Sequence, residues 1–188
     1  MLTLKNVLIS FLLFVAVGLS SWSIIISKKK PVYIPKDQGV PDSYMENITA
    51  TIIDKTGFQV LKIESPKMVH YSKNDTMDIT TPHITFFRQS PEPWHINSDF
   101  AKATQGIEQI LFWSNVVIHH NEDIAAHTTT MKTETLTVFP AKKIASTQDA
   151  VLITQPDTTI RAIGMWANLN DGIIKLLTDT KGEYAPNS

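Results

Sequence analysis

Residues 131–138, Met131-Lys132-Thr133-Glu134-Thr135-Leu136-Thr137-Val138, alternate in polarity with a period of two. A helix gathers apolar residues every three to four positions, whereas alternation is what a strand with one wet face needs. The same period runs through Trp94-His95-Ile96-Asn97-Ser98-Asp99-Phe100, with Ser98 the exception on the apolar side, and more weakly through Thr159-Ile160-Arg161-Ala162-Ile163. Turn clusters separate such runs: Lys73-Asn74-Asp75, His120-Asn121-Glu122-Asp123, Gln155-Pro156-Asp157 and Asn168-Leu169-Asn170-Asp171-Gly172. From about Asp42 to Tyr184 no window has convincing helical spacing, so the pattern predicts about a dozen short strands in an all-β sandwich or barrel.

A weak internal repeat sharpens this expectation. Ser98–Ile118 laid over Thr133–Ile153, a shift of 35, matches Ala103 with Val138, Val116 with Val151, Val117 with Leu152 and Ile118 with Ile153. A further shift of 31 brings Gly106 onto Gly172 and Leu111 onto Leu177. Each unit reads as a strand, a short turn and a second strand, stacked on its neighbour. An alternating sequence also matches itself by chance at some shift, and that reading stays open here.

The chain has 188 residues, 17 Lys+Arg against 18 Asp+Glu, and no cysteine. The length allows one ordinary domain with an appendage. With Arg88 and Arg161 as its two arginines and a net charge of -1, the chain lacks a basic field to track a nucleic-acid backbone. The missing cysteine excludes disulfides, a thiol nucleophile, Cys-ligated metal and lipoprotein acylation.

Asn6–Ile26 (NVLISFLLFVAVGLSSWSIII) runs 21 residues without a charge. At about 1.5 Å per residue a helix there reaches roughly 31 Å, against a hydrocarbon core of about 30 Å. Residues 1–27 therefore read as a short tip and a single transmembrane helix. A cleavable signal peptide is the alternative, but its h-region is shorter, and apolar character resumes at Ile24-Ile25-Ile26 beyond the poor cleavage site Ser21-Trp22-Ser23. The lysine balance, Lys5 against Lys28-Lys29-Lys30, by itself leans toward a cytoplasmic C-terminal domain. Such a bias yields when a following domain or partner decides insertion. Residues 28–41, with Pro31, Pro35 and Pro41, read as a semi-rigid tether, and residues 42–188 as the β domain.

Chemistry is sparse. G-x-S-x-G, H-E-x-x-H and Gly-rich phosphate loops do not occur, and the chain holds seven glycines in all. His119-His120-Asn121-Glu122-Asp123 with His127 is the densest cluster of possible metal ligands. Adjacent strand residues point to opposite faces, which spoils His119 and His120 as a ligand pair. The cluster reads as a polar hairpin tip, His70, His83 and His95 have no partner readable in sequence, and no cofactor or metal is expected.

Ile110-Leu111-Phe112-Trp113 and Val116-Val117-Ile118 are apolar at both parities, as is Ile84-Thr85-Phe86-Phe87 in part. A strand of this kind needs cover on both sides. Ordinary core and loops would provide it; so would a greasy interior that receives a ligand, or a sheet edge that receives another protein.

An N-terminal anchor, a proline-bearing tether, then Ser98-Asp99-Phe100-Ala101-Lys102-Ala103 followed by Ile110–Val116 resembles the LptC family of lipopolysaccharide export proteins. Tyr71-Ser72 before Thr81-Pro82, the Pro93-Trp94 lead-in and the closing segment Gly164–Tyr184 support the likeness, which covers nearly the whole chain. The chain departs from the family in the thin basic flank at Lys5 with its Lys28-Lys29-Lys30 counterpart, and at Ser114-Asn115-Val116, where a glycine is more usual.

The resemblance implies a twisted β-jellyroll, two antiparallel sheets opening as a V around an acyl-chain groove. It implies an inner-membrane, single-pass protein with its C-terminal domain in the periplasm and no catalytic role. Lipopolysaccharide would arrive from the ABC transporter (LptB, LptF, LptG) and pass to the periplasmic bridge protein LptA. Expected acyl-chain contacts are Ile52, Ile63, Val69, Ile79, Phe86, Ala103, Leu111, Trp113, Leu136 and Val138, chosen from the doubly apolar, alternating and repeat-matched positions. The edge at Tyr44, Ile48 and Ile52 is expected to meet the transporter. The edge of Ile173, Leu176 and Leu177, closing at Tyr184, is expected to meet LptA. An anchored β-rich scaffold with no lipid ligand is the alternative.

Overall fold

The structure is a computed structural model that describes residues 39–87, 92–122 and 127–185. Eleven antiparallel strands form one continuously hydrogen-bonded sheet: β1(Ser43–Ile53), β2(Gln59–Tyr71), β3(Thr76–Thr80), β4(His83–Phe86), β5(Trp94–Asn97), β6(Phe100–Thr104), β7(Gln109–Glu122), β8(His127–Phe139), β9(Ile144–Thr154), β10(Thr158–Asn168) and β11(Ile173–Tyr184). The expected short strands are therefore of two kinds. Seven are long, 11 to 14 residues, and β3 to β6 are short, with four or five. The two expected sheets are halves of one.

The short strands bridge the long ones. β2 pairs with β1 along one side; along the other it pairs with β4 over Leu61–Glu64 and with β3 over Lys67–Tyr71. β7 mirrors this, pairing with β6 through Gln109–Trp113 and with β5 through Val117–His120. Beyond β7 the order continues β8, β9, β10, β11. The repeat read in sequence falls on three successive hairpins, β6–β7, β8–β9 and β10–β11.

Turns follow from their residues. At the β1–β2 hairpin, Asp54 Oδ1 accepts the N–H groups of Thr56 (2.8 Å) and Phe58 (3.0 Å), and Gly57 takes φ 87. These bonds, led by the Thr56 side chain, hold the Asp54 carboxyl below the ordinary carboxylate range. At the β10–β11 turn Asn168 Oδ1 accepts the N–H of Asn170 and of Asp171.

A seam of irregular backbone crosses the sheet near the middle of its long strands. It passes through Asn47 (φ 51) on β1, Pro66 on β2, Ser114 and Asn115 (φ 64 and 56) on β7, and Glu134–Thr135 on β8. It continues through Gln148–Asp149 on β9, Gly164 (φ 77) on β10 and Asp179 (φ 49) on β11. Extra residues at such points bend a strand and reset which parity faces inward. Buried positions accordingly jump from Ser65 to Met68 on β2 and from Thr133 to Leu136 on β8, and on β10 they run Ala162, Gly164, Met165. The alternation of residues 131–138 thus changes phase partway. Phe100 likewise falls on the exposed side, while Ser98 is buried with Trp94 and Ile96.

The sheet folds over this seam. Trp94 Nε1 on β5 donates to the Leu169 carbonyl in the β10–β11 turn at 3.1 Å, and that turn is tied to the neighbouring β8–β9 turn, where Lys143 Nζ donates to Asn170 Oδ1 at 3.0 Å. One hydrophobic core lies inside, including Leu61, Ile84, Ile96, Ile110, Phe112, Leu136 and Val138, each almost fully buried. Burial of each such side chain contributes about 1.5–3 kcal/mol.

Candidate functional site: an apolar interior between two open edges

The interior face is continuous from one edge of the sheet to the other. Following register partners across nine strands, one row reads Ala50, Ile63, Ile84, Ile96, Ile118, Met131, Ile153, Ile160 and Gly182. On the other side of the seam a second row reads Met77, Ala103, Ile110, Val138, Ala145, Ala167 and Ile174. Neither row contains a charged side chain, and both reach β11.

Toward β11 the interior opens into a cleft of about 490 Å³. Trp94 and His120, stacked at 4.2 Å between centroids and 15° between planes, form one wall. Ile153, Ile160, Ile174 and Leu176 form the other, with Gln155 donating to Thr129 Oγ1 at 2.9 Å along the rim. The arrangement suits an apolar ligand with a polar end: aliphatic and aromatic side chains make up most of the lining, with Thr129, Gln155 and Asp171 as its polar groups.

Of the residues singled out from sequence, Ile52, Ile63, Ile79, Phe86, Ala103, Leu136 and Val138 share this interior face. Val69, Leu111 and Trp113 do not. Leu111 lies in register with Lys102 and Thr137, and Trp113 stacks on Phe100 at 5.9 Å on the outer face. The inward residues of that run are Ile110 and Phe112, both fully buried. A run apolar at both parities carries no parity signal, which is why the sequence could not separate them. Val69 is turned outward by the phase change after Ser65. Ile84, Ile96 and Ile118 were missed; the alternation of Trp94 with Ile96 was the available signal.

Among the described residues two strands have a neighbour on one side alone, β1 and β11. Tyr44 is 63% exposed and points outward from β1, while Ile48 and Ile52 point inward against the core. On β11, Ile173 and Leu177 point outward and Leu176 inward, and Tyr184 is exposed. Each edge strand thus offers free main-chain groups with apolar side chains on both faces.

His119 and His120 lie on opposite faces of β7: His120 is buried and His119 Nδ1 is 3.1 Å from Thr130 Oγ1. Asn121, Glu122 and His127 lie on the paired ends of β7 and β8, whereas Asp123 and the residue ranges read as anchor and tether up to residue 38 lie outside the described residues. Among the described residues no helix is long and apolar enough to cross a membrane.

Comparison with known families matches residues 10–185 to the family described as lipopolysaccharide-assembly, LptC-related. No curated protein matches. Among solved structures, the chain is similar to LptH from Pseudomonas aeruginosa, the LptA-homologous periplasmic component of the conserved lipopolysaccharide transport device. The TM-score is 0.52 at 8% identity, covering 67% of this chain and 95% of that one. At that identity the likeness concerns the fold.

Proposed function

The chain belongs to the LptC-related lipopolysaccharide-assembly family, a family of transport components, and from that premise we propose how it moves lipopolysaccharide. Acyl chains travel along the interior face, entering at the β1 side and leaving at the β11 side. The observation that carries this reading is the uncharged row that runs from β1 to β11, with the second row beside it from β3 to β11. Each methylene exposed to water costs about 0.8 kcal/mol, so a path of buried aliphatic side chains removes the main barrier to carrying lipid across an aqueous space. The groove residues are Ile52, Ile63, Ile79, Phe86, Ala103, Leu136 and Val138 from the sequence reading, joined by Ile84, Ile96, Ile118 and Ile153. Val69, Leu111 and Trp113 drop out because they share the face of Lys102 and Thr137.

The finer setting is part of the same proposal. A helix over Asn6–Ile26 anchors the chain in the inner membrane and the β domain stands in the periplasm. The β1 edge, with Tyr44, Ile48 and Ile52, pairs with a β domain of the ABC transporter. The β11 edge, with Ile173, Leu176, Leu177 and Tyr184, pairs with LptA. Strand addition at an open edge joins two sheets through main-chain hydrogen bonds and aligns their interiors.

Photo-crosslinking in living cells tests the path. A photoreactive residue at Ile63, Ile118 or Ile153 is expected to capture lipopolysaccharide, and one at Leu111 or Trp113 is not. Folded protein that gives no adduct at any of the three interior positions would overturn the reading.

A further inference from the structure

On the outer face the fold joins two histidines that lie far apart in sequence. His95 on β5 and His119 on β7 are direct register partners. Thr85 on β4 and Thr130 on β8 flank them in the same row, giving Thr85-His95-His119-Thr130 across four adjacent strands. Directly opposed residues of an antiparallel pair have Cβ atoms about 4.5–5.5 Å apart, close enough for two imidazoles to reach one ion between them. Beneath the row, Trp94, Ile96, Ile118 and His120 are buried, so the strands that carry the pair are held rigidly.

One ring nitrogen of each imidazole is already engaged. His95 Nδ1 lies 3.2 Å from Thr85 Oγ1, and His119 Nδ1 lies 3.1 Å from Thr130 Oγ1. When Nδ1–H donates to each hydroxyl oxygen, the lone pair on Nε2 of both rings is left for a ligand bond. That is the outer-shell arrangement of metal-bound histidine.

We propose that His95 and His119 bind a late first-row divalent cation, Cu²⁺, Ni²⁺ or Zn²⁺, through their two Nε2 atoms. Imidazole favours these ions over Mg²⁺ and Ca²⁺, which want oxygen. Among the described residues no three His, Asp or Glu side chains gather at one point. The protein therefore supplies two ligands and water completes the shell, which makes the site open and exchangeable rather than structural. His83 is the natural control: it sits diagonally across the same face, with its Nδ1 2.6 Å from Asn97 Oδ1.

The test uses the full chain in detergent micelles, stripped of metal. With Cu²⁺ titrated in, electron paramagnetic resonance should show two coordinating nitrogens. His95→Gln and His119→Gln should each weaken binding at least about tenfold, and Thr85→Val should weaken it by about that much as an outer-shell loss. His83→Gln should leave it unchanged. A readout free of any variant is the imidazole ¹⁵N spectrum of the wild-type chain with Zn²⁺, in which Nε2 of His95 and of His119 should shift while Nδ1 stays protonated. Cu²⁺ affinity unchanged in the His95→Gln/His119→Gln double variant, or Zn²⁺ leaving both imidazoles unperturbed, would overturn the proposal.

Discussion

Ser114 and Asp99, one on β7 and the other between β5 and β6, are joined in both directions. The Asp99 N–H donates to the Ser114 carbonyl at 2.9 Å, and Ser114 Oγ donates to Asp99 Oδ2 at 2.7 Å. Asn115 Nδ2 donates to the same carboxylate oxygen, also at 2.7 Å. This is where β7 exchanges β6 for β5, and both Ser114 and Asn115 hold left-handed backbone there. Left-handed conformation costs a non-glycine residue about 1–2 kcal/mol, and the Asp99 carboxylate offsets that cost. A glycine at this point would need no such support.

Asp99→Ala is expected to destabilise the domain by about 1–3 kcal/mol, the scale of losing hydrogen bonds to a charged acceptor. Asn115→Gly should be milder than Asn115→Val, because a β-branched side chain resists positive φ. Urea unfolding of the three variants checks the order.

Gly164 is expected to tolerate no side chain. Its φ is 77, and an added Cβ would lie 2.8 Å from Leu177 Cδ1 and 3.2 Å from Leu177 Cβ. Gly164→Ala should cost about 2–4 kcal/mol, combining backbone strain with overpacking. Adding Leu177→Ala should recover the packing part and leave the backbone part, which a double-mutant cycle on thermal stability separates.

Proline at the same partner tests the C-terminal edge. Leu177→Pro removes a main-chain donor from β11 and bends the strand. Capture of LptA by the purified full chain should be lost, while association with the transporter stays near wild type. Wild-type capture by a folded Leu177→Pro variant would show that this edge is not the joint.

The start of β1 should respond to pH. His70 Nδ1 lies 2.8 Å from Asp42 Oδ1 and its Nε2 lies 3.4 Å from Asp75 Oδ1. Asp42, and then Asp75, raise the His70 pKa above its ordinary 6.5. The stabilisation is therefore complete below pH 6.5 and is lost as pH rises through the raised value. Asp42 is held below its ordinary 3.8, first by the Ser72 hydroxyl and then by His70, so its share is lost only as acid reaches that lowered value. Amide hydrogen exchange should show the start of β1 best protected between these limits. His70→Gln should abolish the alkaline decline.

The period-two runs and turn clusters made the strands legible, and the repeat foretold three hairpins. The facing of each strand was legible only where polarity alternated cleanly, as at Trp94 and Ile96. It failed at Leu111 and Trp113, where both parities are apolar, and at Val69, downstream of a phase change. Asn47 and Asp179 are of the types that adopt positive φ most readily, but Asn and Asp recur throughout the chain and so do not mark the seam, and Ser114 gives no local sign of its positive φ. The seam is set by long-range pairing, as is the meeting of His95 with His119.

The two free edges belong to different strands, β1 and β11, with different side chains. A joint made by both is head to tail: it has a front and a back, and repeating it builds a line, not a closed ring. Such a line has no internal measure of its own length. It ends when one end meets a partner that offers a single edge, so the neighbours at its termini, and not this domain, set how many units it contains. The same asymmetry gives the path two distinguishable ends, because no rotation of the domain exchanges them, and leaves the direction of travel to whatever free-energy difference the terminal neighbours supply.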